Sequence, residues 1–210
     1  MKVVIFGANG KTGLLLVEQA LAKGHQVIAY IRRPGTICIE NPKLKIMVGE
    51  LNEILKLKDA IIGADACISA LGGESLTKHS PGIMNGIDNI VLIMEKARVH
   101  RFIYLSSLGA GESRFTMNPV VRFIALDLFL RIPMADHNAN EKRIVESNLQ
   151  WTFIRPASLT DGQLTGELKH GISKIRLKGI PTISRANVAS FMIQQLTDPT
   201  YQQKAVWLCE

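Results

Sequence analysis

The chain has 210 residues, 47% hydrophobic and 20% charged, with a formal net charge of +7. These values suit one soluble globular domain with a full core. Cys38, Cys67 and Cys209 are odd in number and form no C-x-x-C pair, so neither a disulfide framework nor a zinc site is indicated, and a reducing cytoplasm is the natural setting.

Short apolar runs alternate with longer segments of helical period, the mark of a parallel sheet covered on both faces. The predicted strands are 2–6, 26–31, 44–48, 66–70, 101–107, 151–156 and 204–209. The predicted helices are 11–23, ended by Gly24, then 53–63, 82–99, 136–147 and 185–198, with Asp136 as an N-cap. Residues 109–135 break the rhythm as a loop and an apolar helix, and the alternation of 165–184 predicts β-hairpin material. The opening apolar run "VVIF" is too short for a secretion signal, and 119–133, with Arg122, Asp127 and Arg131, is too short and too charged to span a bilayer. No membrane association is expected. The positive charge suits an anionic partner, but the basic residues are scattered and aromatics are only 6%. A small phosphate-bearing ligand is therefore expected rather than nucleic acid.

The stretch "GANGKTG" (7–13) admits two phosphate-binding readings. A P-loop needs four residues between its glycines, which would put the first at position 5, where the chain has Ile5. That reading fails. Gly7 ends a strand, Gly10 lies in the turn and Gly13 lies in the first helical turn, the setting of a dinucleotide-binding loop. Such glycines allow a tight turn, close approach to a pyrophosphate and close helix–strand packing. The end of the second strand separates the cofactors. NAD binders place an acid there, whereas this chain has Arg32 and Arg33 and no acid before Glu40. Guanidinium forks suit a 2′-phosphate, so NADP(H) is preferred over NAD(H).

With "GANGKTG", "YLSSLGAG" and "ADHNANEKRIVESNLQWTFIRPASLTDGQLTG", followed by "SRANVASFMIQQL", the sequence resembles the atypical short-chain dehydrogenase/reductases. The resembling branch is the NAD(P)H-binding, NmrA-like group that includes biliverdin reductase B, a flavin reductase. The resemblance covers almost the whole chain. It implies one α/β domain over 1–210 with a Rossmann-type doubly wound parallel sheet of central order 3-2-1-4-5-6. It also implies a small C-terminal substrate lobe to which 157–184 contribute, with 109–135 as an insert or lid. By the same resemblance the phosphates would lie on the amides of Asn9, Gly10, Lys11 and Thr12, and adenine near Glu50 and Leu51. Leu71, Gly72 and Gly73 would line the ribose and nicotinamide side, and Ser106, Ser107, Pro156, Ala157 and Ser158 would frame the nicotinamide.

The chain departs from ordinary short-chain dehydrogenases at their Tyr-x-x-x-Lys pair. None of Tyr30, Tyr104 and Tyr201 has a lysine four residues on, and the expected positions fall near Pro133 and His137. Hydride transfer to a flat conjugated acceptor (flavin, quinone or tetrapyrrole-like) remains open, because the nicotinamide carries that chemistry. Ser107 is the candidate hydroxyl for a substrate contact, and His137 the candidate proton donor near neutral pH. Arg155 fits either a ligand contact or a carboxylate pair. The apolar helix 119–133 fits a lid, a core element or a subunit contact. The rival functions are a non-catalytic NADP(H) sensor of the NmrA type and, more weakly, sugar-nucleotide epimerase or dehydratase chemistry.

Overall fold

The computed structural model describes residues 1–73, 75–116, 119, 124, 128–172 and 179–210. Five apolar strands, β1 (Lys2–Phe6), β2 (Gln26–Ile31), β3 (Leu44–Val48), β4 (Ala66–Ser69) and β5 (Arg101–Leu105), alternate with α1 (Lys11–Ala22), α2 (Ile54–Ile61) and α3 (Pro81–Ala97). A short 3-10 turn at Gly111–Thr116 follows. The chain continues through α4 (Arg131–Val145), β6 (Gln150–Pro156), β7 (Ser158–Thr160), β8 (Lys169–Gly171), β9 (Thr182–Ser184), α5 (Arg185–Gln194) and β10 (Lys204–Cys209).

The main sheet has the order β3-β2-β1-β4-β5-β6-β10-β8, which contains the expected 3-2-1-4-5-6. Among the described residues, every pairing in it is parallel except that of β10 with β8. Its strands are continuously apolar because both faces are covered. Leu16, Val17, Ala20, Val188, Ala189 and Met192 of α1 and α5 are buried on one face. On the other, Leu57, Ile87, Ile90, Val91 and Ile144 of α2, α3 and α4 bury against Phe6, Phe102 and Tyr104. Among the described residues, no helix is long and apolar enough to cross a membrane.

Three expectations change. The 136–147 helix begins at Arg131, so Asp136 sits inside α4 rather than capping it. The 109–135 insert therefore ends five residues earlier. Pro133, in the first helical turn, is compatible with that start because no intrahelical amide bond is lost there. The described parts of 165–184 do not pair with each other. β8 joins β10 antiparallel at the sheet edge and β9 pairs in parallel with β7. Within the apolar stretch 119–133, residues 120–123 and 125–127 lie outside the described residues, and Leu128 and Phe129 are exposed.

Candidate cofactor and active site

The glycine turn follows β1. Gly7 has φ +74, and a Cβ there would come 2.8 Å from the Ala70 carbonyl oxygen. Both facts favour glycine. The Gly10 amide donates to Gly7 O at 3.0 Å and closes the turn. At Gly13 a Cβ would lie 2.0 Å from Gly7 O, so α1 rests on the turn at a separation only glycine permits. Gly10 is the N-cap, in extended conformation, and α1 has neither a side-chain cap nor an acid in its first turn. Its first amides, Lys11 and Thr12 among them, thus remain at the positive end of the helix dipole, a cradle that fits an anionic phosphate. Asn9 is half-buried beside it and Thr12 is buried. Lys11 Nζ lies 2.9 Å from Asp161, which also pairs with Arg185. The hydrogen bond from Lys11, with the charge of Arg185, holds the Asp161 carboxyl below its ordinary range.

The other predicted residues divide by position. Arg32 and Arg33 are exposed just beyond the carboxyl end of β2. Glu50 is exposed, but its backbone is engaged: the amide donates to Glu53 at 2.7 Å and the carbonyl accepts from Tyr30 at 2.9 Å. Leu51 packs so closely on α3 that a Cβ at Gly86 would meet its Cδ1 at 2.4 Å. Open space surrounds Gly72. The Ala157 and Ser158 amides are committed to Leu208 O and Pro181 O, and Pro156 O accepts from Leu108. Ser107 Oγ donates weakly to Leu108 O at 3.4 Å and does not border the cavity that holds His137. Local backbone bonding is what the structure shows for this hydroxyl.

Leu71, Gly73, Ser80, Ile83, Met84, Tyr104, Pro133, Asp136, His137 and Asn140 border a cavity near the carboxyl ends of β4 and β5. In an open α/β sheet that edge is where ligands bind. α4 supplies the polar wall, because Pro133, Asp136, His137 and Asn140 recur at helical spacing. Asp136 receives the Ser80 amide at 2.9 Å and pairs with His79, which ties α4 to the start of α3. His137 Nδ1 lies 3.0 Å from Tyr104 Oη. Burial lowers the His137 pKa, and the charges of Glu141 and Asp136 only partly oppose that. Burial also raises the Tyr104 pKa well above its ordinary 10.0. Both groups are therefore uncharged at neutral pH. Sequence reasoning missed Tyr104 and Asn140; the available signal was the place of Tyr104 one residue before the end of β5.

Behind this wall lies a buried ion cluster. Arg155 donates from Nε and Nη2 to the two oxygens of Glu141, at 3.0 and 2.6 Å, and from Nη1 to Glu112 at 2.8 Å. Ser106 Oγ donates to Glu141 at 2.6 Å, which commits this hydroxyl to α4. Burial opposes the charge on Arg155, but the bonds and charge of Glu141, with Glu112 beyond, more than offset it and hold the pKa above the ordinary range. The choice left open for Arg155 is resolved: it pairs with carboxylates. The cluster joins β5, β6 and α4, and so fixes the helix that carries His137.

The fold and the glycine cradle define a dinucleotide-binding protein. The chain matches the NAD(P)H-binding family over residues 7–199 and belongs to that family. It is 30% identical to the protein At2g34460, chloroplastic, of Arabidopsis thaliana, over 98% of this chain and 75% of the relative. ChuY, an anaerobillin reductase from Escherichia coli O157:H7, shares the fold with a TM-score of 0.81 at 24% identity, over 100% of this chain and 97% of ChuY. A short-chain dehydrogenase/reductase (wide type) from Veillonella parvula DSM 2008, solved with NADP, has a TM-score of 0.81 at 18% identity, over 100% and 94% of the two chains.

Proposed function

We propose that this protein is an NADPH-dependent oxidoreductase that passes a hydride to a flat conjugated acceptor such as a flavin, a quinone or a tetrapyrrole-like molecule. One observation carries the reading. The uncapped, glycine-lined start of α1 and the cavity bordered by His137 both lie beyond the carboxyl ends of the central strands, where one elongated dinucleotide can reach both. The amides of Asn9, Gly10, Lys11 and Thr12 would hold the pyrophosphate, and Arg32 and Arg33 the 2′-phosphate. Leu71 and Gly73 would present the reactive ring to the cavity. A bound nicotinamide would supply the hydride there; the protein's part is to orient the acceptor against it. ChuY, which shares the fold, is described as an anaerobillin reductase, in keeping with a conjugated acceptor.

The chain could instead bind NADP(H) as a sensor. The observation that favours this is the cavity's tyrosine: Tyr104 is buried, has a raised pKa and is followed at the fourth position by Leu108, so it is no ordinary dehydrogenase acid. Loss of NADPH absorbance across a panel of flavins, quinones and biliverdin tests the two readings. Acceptor-dependent oxidation supports the reductase; tight NADPH binding with no oxidation by any of them supports the sensor.

A further inference from the structure

The hydrogen bonds around Tyr104 decide which nitrogen of His137 carries its proton. Tyr104 is 1% exposed, and its ring is held between Phe102 and Phe153, with centroids 6.4 and 6.0 Å away. Its hydroxyl has one proton to give and lone pairs to accept with. Asn140 Nδ2 donates to it at 3.0 Å. His137 Nδ1 lies 3.0 Å away. Asn140 can only donate here, and no other described acceptor lies within reach of the Tyr104 proton, so that proton is directed at Nδ1, which then carries the lone pair while Nε2 carries the hydrogen. His137 and Asn140 reach one oxygen because they are three residues apart on α4. The ring borders the cavity, and no described residue takes its Nε2.

We propose that Tyr104 and Asn140 are positioning residues that hold His137 with Nε2–H toward the cavity, as a hydrogen-bond donor to the carbonyl oxygen of a conjugated acceptor. The proposal rests on the reductase reading and refines its substrate class to conjugated carbonyls, such as quinones.

The charges around the ring agree. Asp136 and Glu141 on its own helix are the nearby anions, but Asp136 is engaged by His79 and the Ser80 amide, and Glu141 by Arg155 and Ser106. Neither is left as a bare counter-ion that would keep His137 charged. A neutral imidazole polarises a carbonyl without ionising. When such a carbonyl compound takes a hydride, two electrons and one proton reach its carbon and negative charge falls on its oxygen. The Nε2–H bond stabilises that oxygen, and a water molecule delivers the second proton and leaves as hydroxide. Direct proton donation by His137 would leave either an imidazolate or, through Nδ1, a buried tyrosinate. Both are too high in energy, so the role is donor and not acid.

The tautomer is read by 15N NMR of histidine-labelled protein without ligand, with His137→Gln identifying the signal. The expected result is a protonated Nε2 and a lone-pair Nδ1 in the wild type, and a mixed tautomer with a higher pKa in Tyr104→Phe. With NADPH and menadione as the probe acceptor, kcat/KM should fall about tenfold in Tyr104→Phe and about a hundredfold in His137→Gln, at unchanged NADPH affinity. It should also stay level from about pH 6.5 to 8.5, where a histidine acid would lose about tenfold per unit as pH rises. A protonated Nδ1 in the wild type, an acid-type pH profile, or a Tyr104→Phe variant unchanged in tautomer and rate would overturn the proposal. NADPH binding with reduction only of non-carbonyl acceptors would overturn the substrate class. A protein that binds no NADPH removes the reductase reading instead, while the tautomer still stands or falls by NMR.

Discussion

Glu141→Gln tests whether the buried ion cluster holds α4 in place. The change keeps the side chain's shape and removes its charge. Arg155, 4% exposed, would lose its bidentate partner and keep only Glu112, itself 55% exposed. Ser106 would lose an ionised acceptor as well. Removing one partner of a buried ion pair destabilises by about 3–5 kcal/mol, because the remaining charge stays out of water. The surviving Glu112 contact places this variant at the lower end, about 3 kcal/mol. For a chain of this length each kcal/mol lowers Tm by about 2–4 °C, so a fall of about 6–12 °C is expected in calorimetry, with a matching loss in urea unfolding. Glu141→Leu combined with Arg155→Met should recover at least half of that loss, since an apolar pair leaves no buried charge behind. A loss under about 1 kcal/mol in Glu141→Gln, or a double variant as unstable as the two single changes added together, would refute the reasoning.

Gly13→Ala must move α1 off the Gly7 carbonyl, which a Cβ would approach to 2.0 Å; about 1–3 kcal/mol of stability and at least about tenfold in NADPH affinity should be lost, read by urea unfolding and calorimetric titration. Replacing Arg32 and Arg33 together by alanine should weaken NADPH at least about tenfold more than NADH, measured as a pair of Kd values. Burial sets the folded pKa of His137 below the unfolded 6.5, so between those two values the unfolded chain binds the extra proton. Stability is then full above 6.5 and falls as pH drops toward the folded value, by up to about 1.4 kcal/mol per unit. His25 adds to the same trend. His137→Gln should flatten the slope in urea unfolding measured from about pH 7 to 5.

The strands were readable because each central one is a short apolar run closed by a turn or a helical pattern, and parallel pairing follows from that alternation, whereas the order 3-2-1-4-5-6 came from the family resemblance. The glycine turn was readable for a different reason: three glycines at fixed spacing each meet a steric demand, and the contacts at Gly7 and Gly13 are those demands. What escaped depended on tertiary pairing. Asp136 resembled a cap because an aspartate preceded a helical pattern; the helix actually starts at Arg131, and Pro133 was the missed sign of a first turn. Nothing in "RIVESNLQWTFIRP" announces that Arg155 reaches back to Glu141, since only the packing of α4 on β6 brings them together. Tyr104 read as a core strand residue, which it also is. Its hydroxyl meets two residues of α4 over thirty positions away. Segment 165–184 misled for the converse reason, as local alternation suggested a hairpin whereas its strands pair with β10 and β7.

The central claim is that the start of α1 receives the phosphates of a nicotinamide dinucleotide, and fluorescence titration of the purified protein with NADPH measures it directly. The account predicts saturable one-to-one binding that Gly13→Ala weakens and that NADH matches only at higher concentration. A featureless titration with both NADPH and NADH would contradict it.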